Sequence, residues 1–431
     1  MHRRADRLVT LLPKADLHAG AHAALLEDPP SGVRYQVRWG VHVFERVGMQ
    51  QPSRYWPWRE LSALEAVDAS RSRGIVHSAR WPVIGQRGWI ADMDDWGYPC
   101  LLGRAAWNPD VRRRFRRETD RTFQRLVRAR AARMVRAYAH ESCIRLFLWT
   151  ERAILETAEW LVALDLERDG QAMLRKMRVL HPSQRSLPRT LVARKWAHRP
   201  LRVVFVGRDY EAKNGAVAID VLTATAARFP EVRFCFVGGV PDAGRLAQLR
   251  RMNNVEYHER LPRSCLLATL RDAHVLFHPA RHESFGMVFA EAAAAGMAVV
   301  ASCDGGMSHV REFLDSGNAY LVKRDGLAPT VERARFTSAL WRVLERPEEA
   351  SRRAKQLHTR AESGVLSLTH RDDVLRDAYE RAAAATGAPL ALDAVRVEPL
   401  GVLRRLPGER LAGSFDRYRR MIGESRVAIQ F

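Results

Sequence analysis

The sequence predicts an α/β protein built from two Rossmann-like parallel-sheet domains. Three observations carry that expectation. Strand-length apolar runs alternate with helix-length segments along most of the chain. Several of those runs end in glycine ahead of a polar loop, the arrangement that places ligands at the carboxyl ends of parallel strands. The chain has 431 residues, too many for one ordinary core, and 47% of them are apolar, enough for two large cores.

In the first domain, residues 1–195, strands are expected over 33–38, 74–77 and 89–93, each bounded by Gly, Pro or charge. A helix begins after Pro57. A long helix follows over 111–138, with eleven arginines against only Glu118 and Asp120 and a ragged apolar stripe that includes Phe115, Val127 and Met134. Its arginine face reads equally as a solvated surface or as a basic face for anionic lipid head groups or a phosphorylated acceptor. A buried strand over 144–149 comes next, then a helix capped by Thr150 and a short strand over 177–182. The Arg-, Pro- and Ser-rich segment 183–200 reads as the interdomain linker.

The second domain, residues 200–385, opens on a strand over 201–207 that ends in Gly207. Further strands are expected over 232–239, 255–257, 273–277 and 297–301, with helices between them. From about 330 the chain is helical, over 331–344, 348–363 and 371–385. The tail 386–431 is irregular and proline-interrupted, and it either packs back on the first domain or stays partly disordered.

The formal net charge is +21. Residues 1–200 carry 36 Lys+Arg against 21 Asp+Glu, a net of +15, and residues 201–431 carry 34 against 28, a net of +6. Such charge favours polyanions, but no nucleic-acid-binding motif accompanies it, so a phosphorylated substrate or an anionic membrane surface is favoured over nucleic acid. The five cysteines lie far apart without C-x-x-C spacing and read as reduced thiols in a cytoplasmic protein. No run of about 18 apolar residues appears, so a soluble or peripherally attached protein is expected.

The stretch 278–296 concentrates the chemistry. It reads as the end of a strand, a polar loop, and an Ala-rich helix starting near Phe285. Glu283 falls just before that helix and Glu291 about two turns inside it, so a rise of ~1.5 Å per residue sets the two carboxylates roughly 10–12 Å apart. That spacing suits an elongated ligand with an acid near each end and an anionic middle facing the N–H groups of Phe285, Gly286 and Met287. The loop after Gly207 adds Arg208 and Lys213, cations suited to a diphosphate.

Taken together, these pieces resemble the nucleotide-sugar half of the family-four retaining glycosyltransferases, which have the GT-B fold. The resemblance covers residues 201–325. It is carried by G-R-x(4)-K-N at 207–214, F-V-G-G at 236–239, the E-x(7)-E motif of Glu283 and Glu291, and Gly305-Gly306. It implies a hexosyltransferase that takes a nucleotide sugar as co-substrate, needs no metal, and acts on a glycan or glycolipid acceptor of the cell envelope. A sugar-nucleotide epimerase and an inactive sugar-binding relative use the same fold and are the alternatives.

The resemblance implies that Gly207, Arg208, Lys213 and Gly238 line the donor diphosphate, that Glu291 receives the ribose hydroxyls, and that Glu283 sits near the transferred sugar. Catalytic roles then fall to Glu283, Lys213, Arg208 and, in the first domain, Asp94. Many relatives end a first-domain strand in a His-Asp pair, whereas this chain presents acids there, with Asp94 at the aligned position and Asp95 beside it. His77 resembles the histidine of a neighbouring strand end, on the acceptor side, and reads equally as a satisfied core histidine.

Overall fold

In a computed structural model of the chain, the described residues are 6–13, 18, 20–38, 41–44, 65–94, 115, 117, 119 and 121–391. The helix expected after Pro57, the first ten residues of the arginine-rich helix apart from Phe115, Arg117 and Thr119, the tail from 392 and Asp95 all lie outside them. Two compact units form. One combines Met1–Leu17, Pro29–Leu180 and Val374–Phe431, and the other combines His18–Asp28 with His181–Asp373.

The first unit holds β1 (Arg7–Leu12), β2 (Val33–Val37), β3 (Val41–Phe44), β4 (Glu65–Asp68), β5 (Ile75–Ala79), β6 (Val83–Ile84), β7 (Trp89–Met93), β8 (Cys143–Leu148) and β9 (Met177–Val179). Six of these form a parallel sheet in the order β2-β1-β5-β7-β8-β9, and β3-β4-β6 form a small separate sheet. β5 and β7 are buried along their whole length, which explains their continuous apolar composition. Thr150 caps the next helix, Glu151–Ala163, by accepting from the Ala153 N–H at 3.1 Å.

The arginine-rich helix runs over Arg121–Ala139 among the described residues, and its arginines divide between two environments. Arg121, Arg125, Arg128 and Arg136 are exposed, while Arg130 and Arg133 are buried. Arg128 also donates to the Leu164 carbonyl at 2.8 Å, capping the C-terminal end of the neighbouring helix. The basic stripe is therefore partly structural.

The second unit contains β10 (Arg202–Val206), β11 (Arg233–Val237), β12 (Val255–His258), β13 (Val275–His278), β14 (Ala298–Ser302) and β15 (Tyr320–Val322). All pair in parallel, in the order β12-β11-β10-β13-β14-β15. This doubly wound order reverses direction between β10 and β13, and the crevice beyond the carboxyl ends of those two strands is where such sheets bind ligands. Phe205 and Phe236 stack in its core with ring centroids 4.4 Å apart.

The chain passes between the units at 17/18, 28/29, 180/181 and 373/374, whereas the expected boundaries lie near 195 and 385. Residues 18–28 belong with the second unit, where Gly20 accepts from Gln184 Nε2 at 2.6 Å. The last helix, Leu368–Ala383, passes into the first unit from Val374 onward. There its Tyr379 hydroxyl lies 2.8 Å from both the Tyr35 hydroxyl and His77 Nδ1. Residues 386–391 stay with that unit, and the Gly85 N–H donates to the Leu390 carbonyl at 3.1 Å.

Candidate active site

The site grows from the two strands that flank the reversal of the second sheet. β10 ends at Val206 and delivers Gly207, Arg208 and, after a short turn, Lys213. Asn214 then adopts left-handed geometry (φ 57°), a conformation Asn tolerates, and opens the helix Gly215–Arg228. Its side chain donates to the buried Glu332 at 2.8 Å, which holds the turn in place. Gly238, which follows β11, must be glycine, because a Cβ there would lie 2.1 Å from the Gly207 carbonyl oxygen.

β13 ends at His278 and leads into the loop that carries Glu283. Gly286, at φ 78°, turns the chain into the helix Met287–Ala294, so the helix begins at Met287 and not at Phe285. Glu291 therefore sits in the second turn, nearer Glu283 along the axis than two full turns would place it. Gly20, in the segment borrowed from the N-terminus, approaches Met287 so closely that a Cβ there would be 2.6 Å from the Met287 methyl carbon.

Lys213 and Glu283 meet directly, Nζ to Oε1 at 2.8 Å, and Lys213 also donates to the His282 carbonyl at 3.2 Å. His278 Nε2 lies 2.9 Å from the same Glu283 oxygen. A carboxylate only accepts, so His278 donates from Nε2, and its buried Nδ1 has no hydrogen-bond partner among the described residues. Burial would raise the Glu283 carboxyl, but the Lys213 charge and the His278 hydrogen bond overcome it and hold the group well below the usual carboxylate range. Burial also dominates at His278 and lowers it, against the raising effect of Glu283. The cluster is a cation, a carboxylate and a neutral imidazole. Arg208, on the same loop, is exposed.

Both depressed groups make the fold acid-sensitive. Each contributes stability above its ordinary value, 6.5 for His278 and 4.5 for Glu283, and loses it as pH falls, because the unfolded chain takes up the proton first. The expected result is that the stability difference between the protein and a His278→Gln variant shrinks as pH drops below 6.5, measured by denaturant titration. A pH-independent difference would contradict the burial argument.

Glu291 is 5% exposed and paired with Arg263, at the start of the helix Arg263–Asp272. Burial raises its carboxyl and outweighs the lowering by Arg263. Glu291 also lines a cavity of about 220 Å³ together with Gln184, Leu267, Leu270 and Arg271. Phe285 is fully buried against His181 and Phe313, and its carbonyl lies 3.1 Å from His309 Nε2. In the first turn of the helix Met287–Ala294 the Phe289 N–H donates to the Gly286 carbonyl at 2.9 Å, and the N–H groups ahead of it are the ones a helix start leaves without intrahelical acceptors. Strand-end reasoning missed Arg263, His278 and the 18–28 segment. Only His278, directly after an apolar run, left a local signal.

In the first unit the structure places His77 and Asp94. His77 is 1% exposed, Nε2 lies 3.2 Å from Asp92 Oδ1, and Nδ1 lies 2.8 Å from the Tyr379 hydroxyl. Trp149 Nε1 donates to the other Asp92 oxygen at 3.2 Å. With both ring nitrogens engaged, His77 is hydrogen-bonded as a satisfied core histidine would be. Asp94 lies just beyond β7, paired with Arg80 and 15% exposed at its side chain.

Residues 191–355 match the family model described as glycosyl transferases group 1. The α,α-trehalose 6-phosphate synthase of Burkholderia multivorans superposes over 89% of this chain and 100% of its own, with a TM-score of 0.55 at 13% identity. The fold is GT-B. Among sequence relatives, the phosphatidyl-myo-inositol mannosyltransferase of Mycobacterium tuberculosis is 37% identical over 153 residues, 33% of this chain and 38% of that protein. The D-inositol 3-phosphate glycosyltransferase of Mycolicibacterium smegmatis is 26% identical over 333 residues, 72% of this chain and 67% of that protein. Of the mannosyltransferase, then, the chain spans well under two thirds of the length. The matches support a glycosyltransferase. In this GT-B chain, the second unit carries the matched segment and, within it, the whole Lys213–Glu283–His278 cluster.

No helix among the described residues is long and apolar enough to cross a membrane.

Proposed function

We propose that the chain is a retaining glycosyltransferase of family-four type that moves a hexose from a nucleoside-diphosphate donor to a glycolipid or cell-envelope glycan. The observation that carries this reading is the meeting of Lys213, Glu283 and His278 at the carboxyl ends of β10 and β13. In the ligand-free arrangement Lys213 is held by Glu283. A bound diphosphate takes over Lys213 and Arg208, which stabilise the charge that builds on the leaving nucleotide. Glu283 is then released toward the sugar. Phe285, Gly286 and Met287 present backbone N–H groups to sugar and phosphate, and Glu291 receives the ribose hydroxyls beside its cavity. Protein cations carry the phosphate charge, so transfer proceeds without a metal and survives chelation.

Asp94 orients the acceptor from the first unit. Two relatives are named for phosphatidyl-myo-inositol and D-inositol 3-phosphate, which supports a phosphorylated polyol head group as acceptor. The exposed Arg121, Arg125, Arg128 and Arg136 suit an anionic membrane surface on the cytoplasmic side. The test is NMR of the product formed from an α-linked nucleotide sugar and an inositol-lipid acceptor. An α-linked product is expected, and a β-linked product would overturn the retaining assignment.

A further inference from the structure

The outer strands of the second sheet carry a group of side chains that the donor site leaves unused. β11 and β12 pair in parallel with Cys235 in register with Glu256 and Val237 in register with His258. Side chains two residues apart on a strand share a face, so Glu256 and His258 stand on one side of the sheet beside Cys235. One ligand atom from each of Cys235, Glu256 and His258 lies within 4.8 Å of the other two. His258 Nε2 is 2.6 Å from Glu256 Oε1. Glu256 is exposed, and the other two are at most half-exposed.

We infer that Cys235, Glu256 and His258 form a binding site for a zinc-class transition-metal ion. The donor types select the class of ion. A thiolate with an imidazole favours Zn²⁺ or Co²⁺ over Mg²⁺ and Ca²⁺, which are bound by sets of oxygen ligands. Three protein ligands leave the fourth tetrahedral position to a water molecule. Bond lengths of about 2.0–2.3 Å bring tetrahedral ligand atoms closer together than the present outer spacing, a gap that side-chain rotation on fixed strands closes.

Binding exchanges protons in a balanced way. The Cys235 thiol releases its proton to solvent as the metal–sulphur bond forms, and His258 gives up its hydrogen bond to Glu256 and binds as neutral imidazole. The ion then fastens β12, the edge strand of the sheet, to β11. The Gly238 N–H donates to the His258 carbonyl at 2.9 Å, so the fastened strand supports the glycine loop of the donor site without any ligand residue belonging to that site.

The test is titration of the chelator-treated full chain with Co²⁺, which reports thiolate ligation as a near-ultraviolet charge-transfer band and four-coordinate geometry as visible absorption. One equivalent is expected to develop both bands, Zn²⁺ to bleach them, and Mg²⁺ to leave them unchanged. Cys235→Ser should abolish the charge-transfer band. His258→Gln, at the half-exposed strand end where folding is least at risk, should weaken cobalt binding by about tenfold or more. Cys265→Ser removes the exposed cysteine outside the group and should leave the titration unchanged. Absence of the band in the unaltered protein, or its persistence in Cys235→Ser, would overturn the site. Because the readout is spectroscopic and needs no nucleotide, failure here is separable from failure of the glycosyltransferase reading.

Discussion

Lys213→Ala is expected to lower kcat/KM for sugar transfer by about 10²–10³-fold, the loss typical of removing one preorganised group from a developing anion. The side chain has two duties that this substitution removes together. It neutralises Glu283, from which it stands 2.8 Å away, and in the proposed function it is a cation that receives the donor diphosphate. Taking away the ammonium leaves a 13% exposed carboxylate with His278 as its remaining partner in the cluster, so thermal stability falls as well. A double substitution isolates the counter-ion duty. Lys213→Met combined with Glu283→Gln removes both charges and should restore most of the lost stability. The diphosphate duty is read as nucleoside-diphosphate binding, which should persist in Glu283→Gln alone and be lost in the double variant. Equal binding by the two would end the diphosphate role.

Glu291→Gln is expected to weaken nucleotide binding by about 10–100-fold, the range of one or two hydrogen bonds to a charged acceptor. The substitution keeps shape and burial, so the fold should survive. Its distinctive readout is sugar specificity in the nucleotide itself. The unaltered protein should discriminate ribonucleoside from deoxyribonucleoside diphosphates, because a buried carboxyl group loses its partners when a hydroxyl is missing. Glu291→Gln should compress that ratio toward unity. Arg263 complicates the ligand-free state, since it already occupies Glu291. An Arg263→Ala variant that binds nucleotide more tightly would show that the guanidinium competes with ribose, whereas weaker binding would make Arg263 part of the nucleotide site.

Local patterns carried much of the second unit. The runs that became β10, β11, β13 and β14 are short, apolar and closed by turn residues, and their parallel burial left little room for another reading. Lys213 and Glu283 were each legible as residues that follow strand ends, whereas their ion pair was not. Long-range placement was not legible. β1 is six residues near a charged chain start, yet it lies between β2 and β5 in the first sheet.

Arg263 reaches Glu291 across 28 positions and Tyr379 reaches His77 across 302, and no periodicity announces contacts of that kind. The same distance effect applies at His77. Its strand end reads equally as an acceptor contact or a core histidine, and its Tyr379 partner comes from a helix at the far end of the chain. The helix start moved from Phe285 to Met287 because Gly286 takes positive φ, a backbone fact that composition alone does not reveal.

Calorimetric titration with nucleotides tests the central claim most directly, because it asks whether the cluster at the ends of β10 and β13 is a nucleoside-diphosphate site at all. The account predicts that at least one nucleoside diphosphate binds saturably and raises the unfolding temperature, while the matching nucleoside and the free sugar do not. Lys213→Ala and Glu291→Gln should each weaken that binding. Saturable binding of no nucleoside diphosphate or nucleotide sugar, or binding that neither substitution alters, would contradict it.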